Sequence, residues 1–235
     1  MILEAHERRM FVISDLHLGN PASRLGEELL TFLDHVEASG ASLCINGDAF
    51  DILMSTWPTL VAGSLPVVRR LRNLREGGCH LFYLLGNHDI ALEHVLLDLP
   101  ITVSPFLNVV SGGRRFRIEH GHLSEPFYAR YPDLYELGCR VSRHILVFNG
   151  DLYGWWARVQ MYFDSRRRVN KTYHHYETAE ALFARGFDGL VLGHTHLPER
   201  TQLENGLFVN GGDWLTHRSV VEIQDGEVSL FEWHG

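Results

Sequence analysis

The stretch Phe11-Val12-Ile13-Ser14-Asp15-Leu16-His17 is the part of the sequence that decides the fold. A short apolar run rich in β-branched residues is typical of a buried strand, and this run ends abruptly in a carboxylate and an imidazole. If the chain stays extended there, the side chains of Asp15 and His17 point to the same side. We therefore predict a strand whose carboxyl end carries two residues suited to bind a ligand.

The same pattern recurs further along the chain. In each case an apolar run meets Asp, Asn or His beside a glycine, and the segments are Leu43 to Asp48, Leu81 to Asp89, Phe116 to His122 and Leu190 to His196. Polar residues at the carboxyl ends of several strands converge on one crevice in layered α/β folds. We therefore expect all of these segments to contribute to a single site.

Helical periodicity separates the first strands. Residues 25–37 and 67–74 place apolar side chains on one face and predict two helices. Residues 207–214, 219–223 and 228–233 predict strands, the last two joined by a hairpin turn at Asp225-Gly226. Strand–helix alternation followed by a hairpin predicts an α/β fold, a two-sheet β-sandwich flanked by helices, within one domain over residues 1–235.

The segment from about residue 123 to 185 is rich in aromatic side chains and contains no strand that ends in a ligand-type residue. We predict a mostly helical insertion that leaves the core beside His120 and returns just before His194. Such a lid can receive acyl chains. Packing of these aromatic side chains onto the core, or a dimer contact, is an equally good interpretation. His174 and His175, near its end, are expected at the surface.

Composition limits the possible functions. The chain has 235 residues, of which 45% are hydrophobic and 21% charged, with a net charge of −8. The acidic balance argues against a nucleic-acid partner, although two bound divalent cations would locally add about +4. Three scattered cysteines exclude a disulfide framework and a thiolate metal site. No apolar run has the length of a membrane span and no signal peptide is apparent, so we expect a cytoplasmic protein.

The ligand-type residues indicate metal chemistry. Divalent ions that activate water need oxygen and imidazole ligands with open coordination positions. Two ions about 3.5–4 Å apart can clamp both sides of an in-line displacement at phosphorus. A single Asp-x-His or His-Thr-His segment is more often structural, but five segments in order at strand ends predict a site with two metal ions.

These segments, Asp15-Leu16-His17, Gly47-Asp48-Ala49-Phe50-Asp51, Gly86-Asn87-His88-Asp89, His120-Gly121-His122 and Gly193-His194-Thr195-His196, resemble in order the signature of the calcineurin-like metallophosphoesterases. The resemblance implies a sandwich fold and a dinuclear site. It implies one metal held by Asp15, His17, Asp48 and His196, and a second held by Asp48, Asn87, His120 and His194. Asp48 would bridge the two ions.

The same resemblance assigns a catalytic role beside the metals. His88 would meet the phosphate and protonate or stabilise the leaving group, together with Asn87. Asp51 could orient His88 by a hydrogen bond, or simply begin a helix. His122 could face the substrate, with a supporting or surface role as the alternative. Asn210 or Asp213 could orient a metal ligand, or could simply form a turn.

Within that family the sequence is most similar to the group containing UDP-2,3-diacylglucosamine pyrophosphatase. The similarity lies in residues 13–19, the aromatic insertion and residues 209–214, and it departs at His88, where that group has arginine. It implies cleavage of a lipid-linked diphosphate to release UMP. In the insertion, Arg166, Arg167 and Arg168 could meet the diphosphate or an anionic membrane surface, or could simply form an exposed basic helix face. Any membrane contact would then be peripheral, at the inner membrane face.

Two alternatives accompany this interpretation. One is a phosphodiesterase acting on a nucleotide, a nucleic acid or another diester, and the other is a metal-binding scaffold without catalysis. For the two divalent ions we favour manganese, because a carboxylate-rich open site suits a hard, labile ion. Iron, cobalt, nickel and zinc are compatible with the same ligands.

Overall fold

The computed structural model of the chain describes residues 3–20, 26–51, 55, 57–88, 101–124, 130–131, 134, 137–138, 141 and 174–235. Within these residues, two six-stranded mixed sheets pack face to face with helices outside them. The predicted α/β fold, a two-sheet sandwich flanked by helices, is confirmed. The single domain with an insertion at about 123–185 stays a prediction, because most of that insertion lies outside the described residues.

The described chain contains twelve strands and two complete helices. In chain order they are β1 (Glu4–His6), β2 (Arg9–Ile13), α1 (Gly26–Ser39), β3 (Ser42–Asn46), α2 (Trp57–Glu76), β4 (Leu81–Leu84), β5 (Thr102–Ser104), β6 (Phe106–Ser111), β7 (Arg114–Glu119), β8 (Gly189–Leu192), β9 (Pro198–Gln202), β10 (Leu207–Gly211), β11 (Ser219–Gln224) and β12 (Glu227–Glu232). A short 3-10 turn covers His122–Ser124, and residues 174–183 are helical.

Strand order explains why the predicted site residues meet. One sheet has the order β1-β6-β7-β8-β10-β9 and the other the order β12-β11-β2-β3-β4-β5. Strands β2, β3 and β4 pair in parallel, as do β7 and β8. Because parallel strands end at the same edge, the loops that follow these five strands come together at one end of the sandwich.

Strand β2 shows how the core is built. Phe11 and Ile13 pack against α1 and α2, whereas Met10 and Val12 pack against the other sheet. A strand that is buried on both faces must be apolar throughout, and this is why residues 11–13 form an unbroken apolar run. A third cluster lies outside the first sheet, where the helical residues 174–183 cover β8 and β10.

The second helix is longer than its periodicity predicts. It runs from Trp57 to Glu76 instead of 67–74, and it continues through Pro66. Its first half exposes Trp57, Val61 and Leu65, so that half lacks the single apolar face from which a helix is recognised. Among the described residues, no helix combines the length and the apolar character needed to span a membrane.

The C-terminal strands agree with the sequence apart from one boundary. Strands β11 and β12 form the predicted antiparallel hairpin, with Asp225 and Gly226 at φ values of 49° and 87°. The strand predicted over 207–214 ends at Gly211, because Gly212 turns the chain with a φ of 67°. The sequence did not predict β1, β5, β6 and β9. Two of these, β1 and β5, are only three residues long.

Candidate metal centre

The loops at the strand ends bring together three overlapping groups of ligand-type side chains. Within each group, atoms able to bind a cation lie within 4.8 Å of one another. The groups are Asp15, His17 and His196; Asp48, His120 and His194; and His17, Asp48 and His88. Every side chain in them comes from the carboxyl end of β2, β3, β4, β7 or β8.

The first group is centred on the Asp15 carboxylate. Its Oδ1 atom lies 3.2 Å from Nε2 of His196 and 3.8 Å from Nε2 of His17. The two imidazole Nε2 atoms are themselves 3.3 Å apart. Two imidazole nitrogens and one carboxylate oxygen thus surround a common point, which is how ligands of a divalent cation are arranged.

The second group is centred on Asp48, which is 1% exposed. Its Oδ2 atom lies 3.3 Å from Nε2 of His120, and the imidazole rings of His120 and His194 are 5.2 Å apart between centroids. The backbone amide of His194 donates to Oδ2 of Asp15 at 3.0 Å. This contact links the second group to the first.

Asn87 is buried three residues beyond the end of β4. The amide of the following residue, His88, donates to Oδ1 of Asp48 at 2.8 Å. A Cβ on the preceding residue, Gly86, would overlap Oδ1 of Asp48, and a Cβ on Gly47 would overlap His120. These two glycines allow the strand ends to approach closely enough for Asp48, Asn87 and His120 to share one site.

Asp51 lies between two imidazoles. Its Oδ1 atom is 3.0 Å from Nδ1 of His88, and its Oδ2 atom is 3.3 Å from Nδ1 of His17. Asn20 donates a further hydrogen bond to Oδ2 at 2.7 Å. The carboxylate is therefore placed to orient His88, as the sequence suggested, and it contacts His17 as well, which the sequence did not indicate.

The backbone of these loops is strained. Five of the candidate ligands adopt left-handed φ values between 46° and 67°, namely Asp15, His17, Asp48, His194 and His196. Residues with a Cβ rarely adopt this conformation, and each costs on the order of 1–2 kcal/mol. The expectation that Asp15 to His17 stays extended is wrong, because their amides bond instead to the carbonyls of Gly47 and Asp48. The side chains converge all the same.

The electrostatics of the cluster are dominated by its carboxylates. Burial would raise the pKa of the Asp48 carboxyl, but the charges of His120 and His88 outweigh burial and hold this pKa well below its ordinary value. Burial would lower the pKa of His120, yet the charges of Asp48 and Asp15 raise it to about 9. In His17 and His88 the same balance raises the pKa above the ordinary value. The site thus attracts and holds positive charge.

The side chains fit a pair of divalent cations. Among the described residues, Oδ1 of Asp15 and Nε2 of His120 are buried without a hydrogen-bond partner. Buried polar atoms are normally paired, so atoms left in this way toward a common centre indicate a missing ligand. Carboxylate oxygens together with imidazole nitrogens are the donors that first-row divalent ions accept. The family signature and these clusters together imply divalent metal ions.

The remaining predicted residues divide into three cases. His122 is buried, with its ring 5.4 Å from that of His120 and 6.3 Å from that of His194. Arg166, Arg167 and Arg168 lie outside the described residues. His175 was expected at the surface but is only 2% exposed, because its ring stacks on Phe208 beneath the helical residues 174–183.

Comparison with known proteins finds a family whose profile covers most of the chain. The profile of the calcineurin-like phosphoesterase family matches residues 8–198. A UDP-2,3-diacylglucosamine hydrolase from Neisseria gonorrhoeae is 27% identical over 242 residues, which cover 95% of this chain and 97% of that protein. The hydrolase of the same name from Nitrosococcus oceani is 34% identical over 85 residues, or 36% of this chain and 34% of that protein.

Solved structures give a weaker similarity. Yfce, a phosphoesterase from E. coli, superposes with a TM-score of 0.48 at 19% sequence identity, covering 96% of this chain and 100% of that one. At this TM-score the comparison adds nothing to the strand order described above.

Proposed function

Because this chain belongs to the calcineurin-like phosphoesterase family and is a hydrolase of phosphorus ester or anhydride bonds, we propose that it cleaves the diphosphate of UDP-2,3-diacylglucosamine, or of a related lipid-linked nucleotide, and releases UMP. The observation that carries this proposal is the convergence of Asp15, Asp48 and four histidines at one end of the sandwich. The substrate is favoured by similarity along almost the whole chain to a UDP-2,3-diacylglucosamine hydrolase.

We assign the ligands by their grouping. Asp15, His17, Asp48 and His196 would hold one divalent ion, and Asp48, Asn87, His120 and His194 would hold the other, with manganese favoured for both. When bound, such ions supply Lewis-acid activation of the phosphate and of the attacking water. Asp48 groups with His17 of the first set and with His120 and His194 of the second, which supports its place between the two ions.

His88 is the proposed proton donor. Its Nδ1 atom is held by Asp51 at 3.0 Å, which directs Nε2 away from that carboxylate. The charges of Asp48 and Asp51 outweigh the burial of His88 and raise its pKa, which favours the protonated imidazole. A protonated imidazole both offsets the charge on the phosphate and gives its Nε2 proton to the departing oxygen.

The lipid part of the substrate is assigned to the insertion. In its described residues, several apolar side chains are exposed beyond the end of β7, including Leu123, Leu134, Leu137 and Val141. Exposed apolar side chains are the kind of surface that contacts acyl chains. We place Arg166, Arg167 and Arg168 at the diphosphate or a membrane surface as part of the same proposal, with any membrane contact peripheral.

The test is a product assay on the full chain, first stripped with a chelator and then supplied with Mn²⁺. UDP-2,3-diacylglucosamine and bis-p-nitrophenyl phosphate are offered in parallel, and UMP is followed by mass spectrometry. Release of UMP well above the rate on the simple diester is expected. Cleavage of the diester without UMP would discard the lipid substrate and favour a phosphodiesterase that acts on nucleotides or nucleic acid. If neither substrate were cleaved, the proposed activity itself would fail.

A further inference from the structure

The turn that joins β10 to β11 lies directly against the first ligand group. Asn210 donates from Nδ2 to the carbonyl of Gly193 at 2.8 Å, next to His194. The amide of Trp214 donates to the carbonyl of Asp15 at 3.3 Å. The Trp214 side chain is fully buried against Phe32, so this turn is fixed to the core and to two ligand loops at once.

Within the turn, Asp213 presents its two carboxylate oxygens to different partners. Oδ1 accepts from the backbone amides of Thr216 at 2.6 Å and His217 at 3.1 Å. Oδ2 lies 3.5 Å from Nδ1 of His196 and 3.3 Å from Nδ1 of His217. The carboxylate is 2% exposed. Oδ1 therefore caps the turn through two backbone amides, while Oδ2 faces two imidazoles, that of His217 within the turn and that of His196 outside it.

The other side of the His196 ring faces the first ligand group. Its Nε2 atom lies 3.2 Å from Oδ1 of Asp15 and 3.3 Å from Nε2 of His17. A neutral imidazole carries one proton, and the nitrogen without it supplies the lone pair for a metal. A carboxylate beside Nδ1 fixes the proton there, which leaves the lone pair on Nε2.

We propose that Asp213 is a positioning residue for His196: its Oδ2 atom holds the imidazole in the Nδ1-protonated form and so directs the Nε2 lone pair toward a cation shared with Asp15 and His17. The inference rests on the ligand set of the proposed function. It concerns a residue beyond the span of the family profile, which ends at residue 198. It also gives the Gly211–Trp214 turn a role in the site.

Because the two carboxylate oxygens of Asp213 have different partners, one substitution can test the role of Oδ2 alone. In the variant Asp213→Asn, the Oδ1 atom can still accept from Thr216 and His217, but an amide N–H₂ replaces Oδ2. Because that group donates, it favours a lone pair on Nδ1 of His196 and a proton on Nε2. Two readouts follow: the tautomer of His196 in the metal-free protein, from long-range ¹⁵N–¹H NMR spectra, and Mn²⁺ binding, from calorimetric titration.

We expect the His196 tautomer to change from Nδ1–H to Nε2–H. We also expect the affinity for one of two Mn²⁺ ions to fall about 10–100-fold, the range typical when a partner behind a metal-bound histidine is removed. The other ion should bind as in the unmodified protein, because the group of Asp48, His120 and His194 does not include His196, the imidazole that Asp213 faces. The thermal midpoint of the metal-free variant should stay unchanged, since the turn keeps its capping oxygen.

Two control variants accompany the test. His217→Ala removes the competing imidazole but keeps the backbone amide, so both Mn²⁺ affinities should equal those of the unmodified protein. Asp225→Asn makes the same chemical change at an exposed carboxylate paired with Arg8, and neither readout should move. An unchanged tautomer, unchanged Mn²⁺ affinities or an equal loss of both ions in Asp213→Asn would overturn the proposal. If the unmodified protein bound no Mn²⁺ at all, the proposed function would fail instead.

Discussion

The two ligand groups differ in what lies behind their imidazoles. In the first group, carboxylates face the Nδ1 atoms: Oδ2 of Asp51 is 3.3 Å from His17, and Oδ2 of Asp213 is 3.5 Å from His196. In the second group, a backbone carbonyl serves instead, since O of Asn46 is 2.8 Å from Nδ1 of His120. The imidazoles of the first group are therefore oriented by charged side chains, whereas His120 in the second group is oriented by a carbonyl at the end of β3.

This difference predicts unequal sensitivity to substitution. A carboxylate behind an imidazole fixes its tautomer and raises its basicity, but a single substitution removes it. A carbonyl of β3 is part of the sheet and cannot be removed by changing one side chain. Substitution of Asp51 or Asp213 should therefore change the metal affinity of the first group. The second group should resist such changes, because the register of β3 against its neighbours holds the carbonyl in place.

The largest effect is expected at Asp48, the carboxylate that the two ligand groups share. Replacing the shared carboxylate in Asp48→Asn should weaken both ions and lower turnover by at least about 10³-fold, the upper end of what losing one stabilising group costs. Mn²⁺ titration and turnover on the simple diester, bis-p-nitrophenyl phosphate, measure the two effects separately.

Asp225→Asn is the matched control for this change. Asp225 and Asp48 have similar left-handed φ values, 49° and 53°, and asparagine tolerates this conformation well. The control should keep full activity. Near-normal turnover in Asp48→Asn would show that the two groups do not share a catalytic cation pair.

A smaller effect is expected when only the first ligand group, whose imidazoles face carboxylates, is altered. Asp51→Asn removes the negative charge between His17 and His88 and replaces one of the two acceptor oxygens with a donor, so affinity for one Mn²⁺ ion and turnover should each fall about 10–100-fold. Titration should show the second ion unaffected, because Asp51 does not face His120.

His88→Gln separates the two roles of Asp51. It should lower turnover by about 10²-fold or more, as loss of a general acid does, while both Mn²⁺ affinities stay normal. His88 also lies within reach of His17 and Asp48, in a group that could itself hold an ion. If His88→Gln lost one ion, His88 would be a metal ligand and not the proton donor.

The candidate ligands could be predicted from sequence because their signal is local. Each follows an apolar strand within a few residues, as Asp15 follows Ile13 and His194 follows Leu192. Parallel pairing then brings the strand ends together without further information. The helices flanking the sheets and the Asp225-Gly226 hairpin could also be predicted, because they depend on the spacing of apolar residues and on a single turn.

What sequence could not predict depends on contacts between distant segments. The approach of Asp213 to His196 needs the β10–β11 turn folded back across the ends of β2 and β8. Burial of His175 needs the helical residues 174–183 laid over Phe208. The left-handed φ values of the ligands are set by hydrogen bonds to Gly47 and Asp48, partners more than thirty residues from Asp15 and His17.

The smallest expected effect is a pH dependence of the stability of the metal-free protein, which arises mainly from His120 in the second ligand group. The pKa of His120 is about 9 in the folded state against an ordinary value of 6.5. Between these values the folded state holds more protons than the unfolded state, so stability falls as pH rises. The pKa of His17 is raised as well and acts with the same sign, while the ionised carboxylates add no slope in this range.

Urea unfolding in the presence of a chelator should show a loss on the order of 3 kcal/mol between about pH 6.5 and 9, given 1.36 kcal/mol per pKa unit. The slope should flatten in Asp48→Asn, since the charge of Asp48 is the main cause of the raised pKa of His120. In the Mn²⁺-loaded protein it should disappear, because a bound cation takes the place of the protons. A metal-free protein whose stability rises with pH would mean that the imidazoles are neutral when folded, and that the buried carboxylates are balanced by other charges.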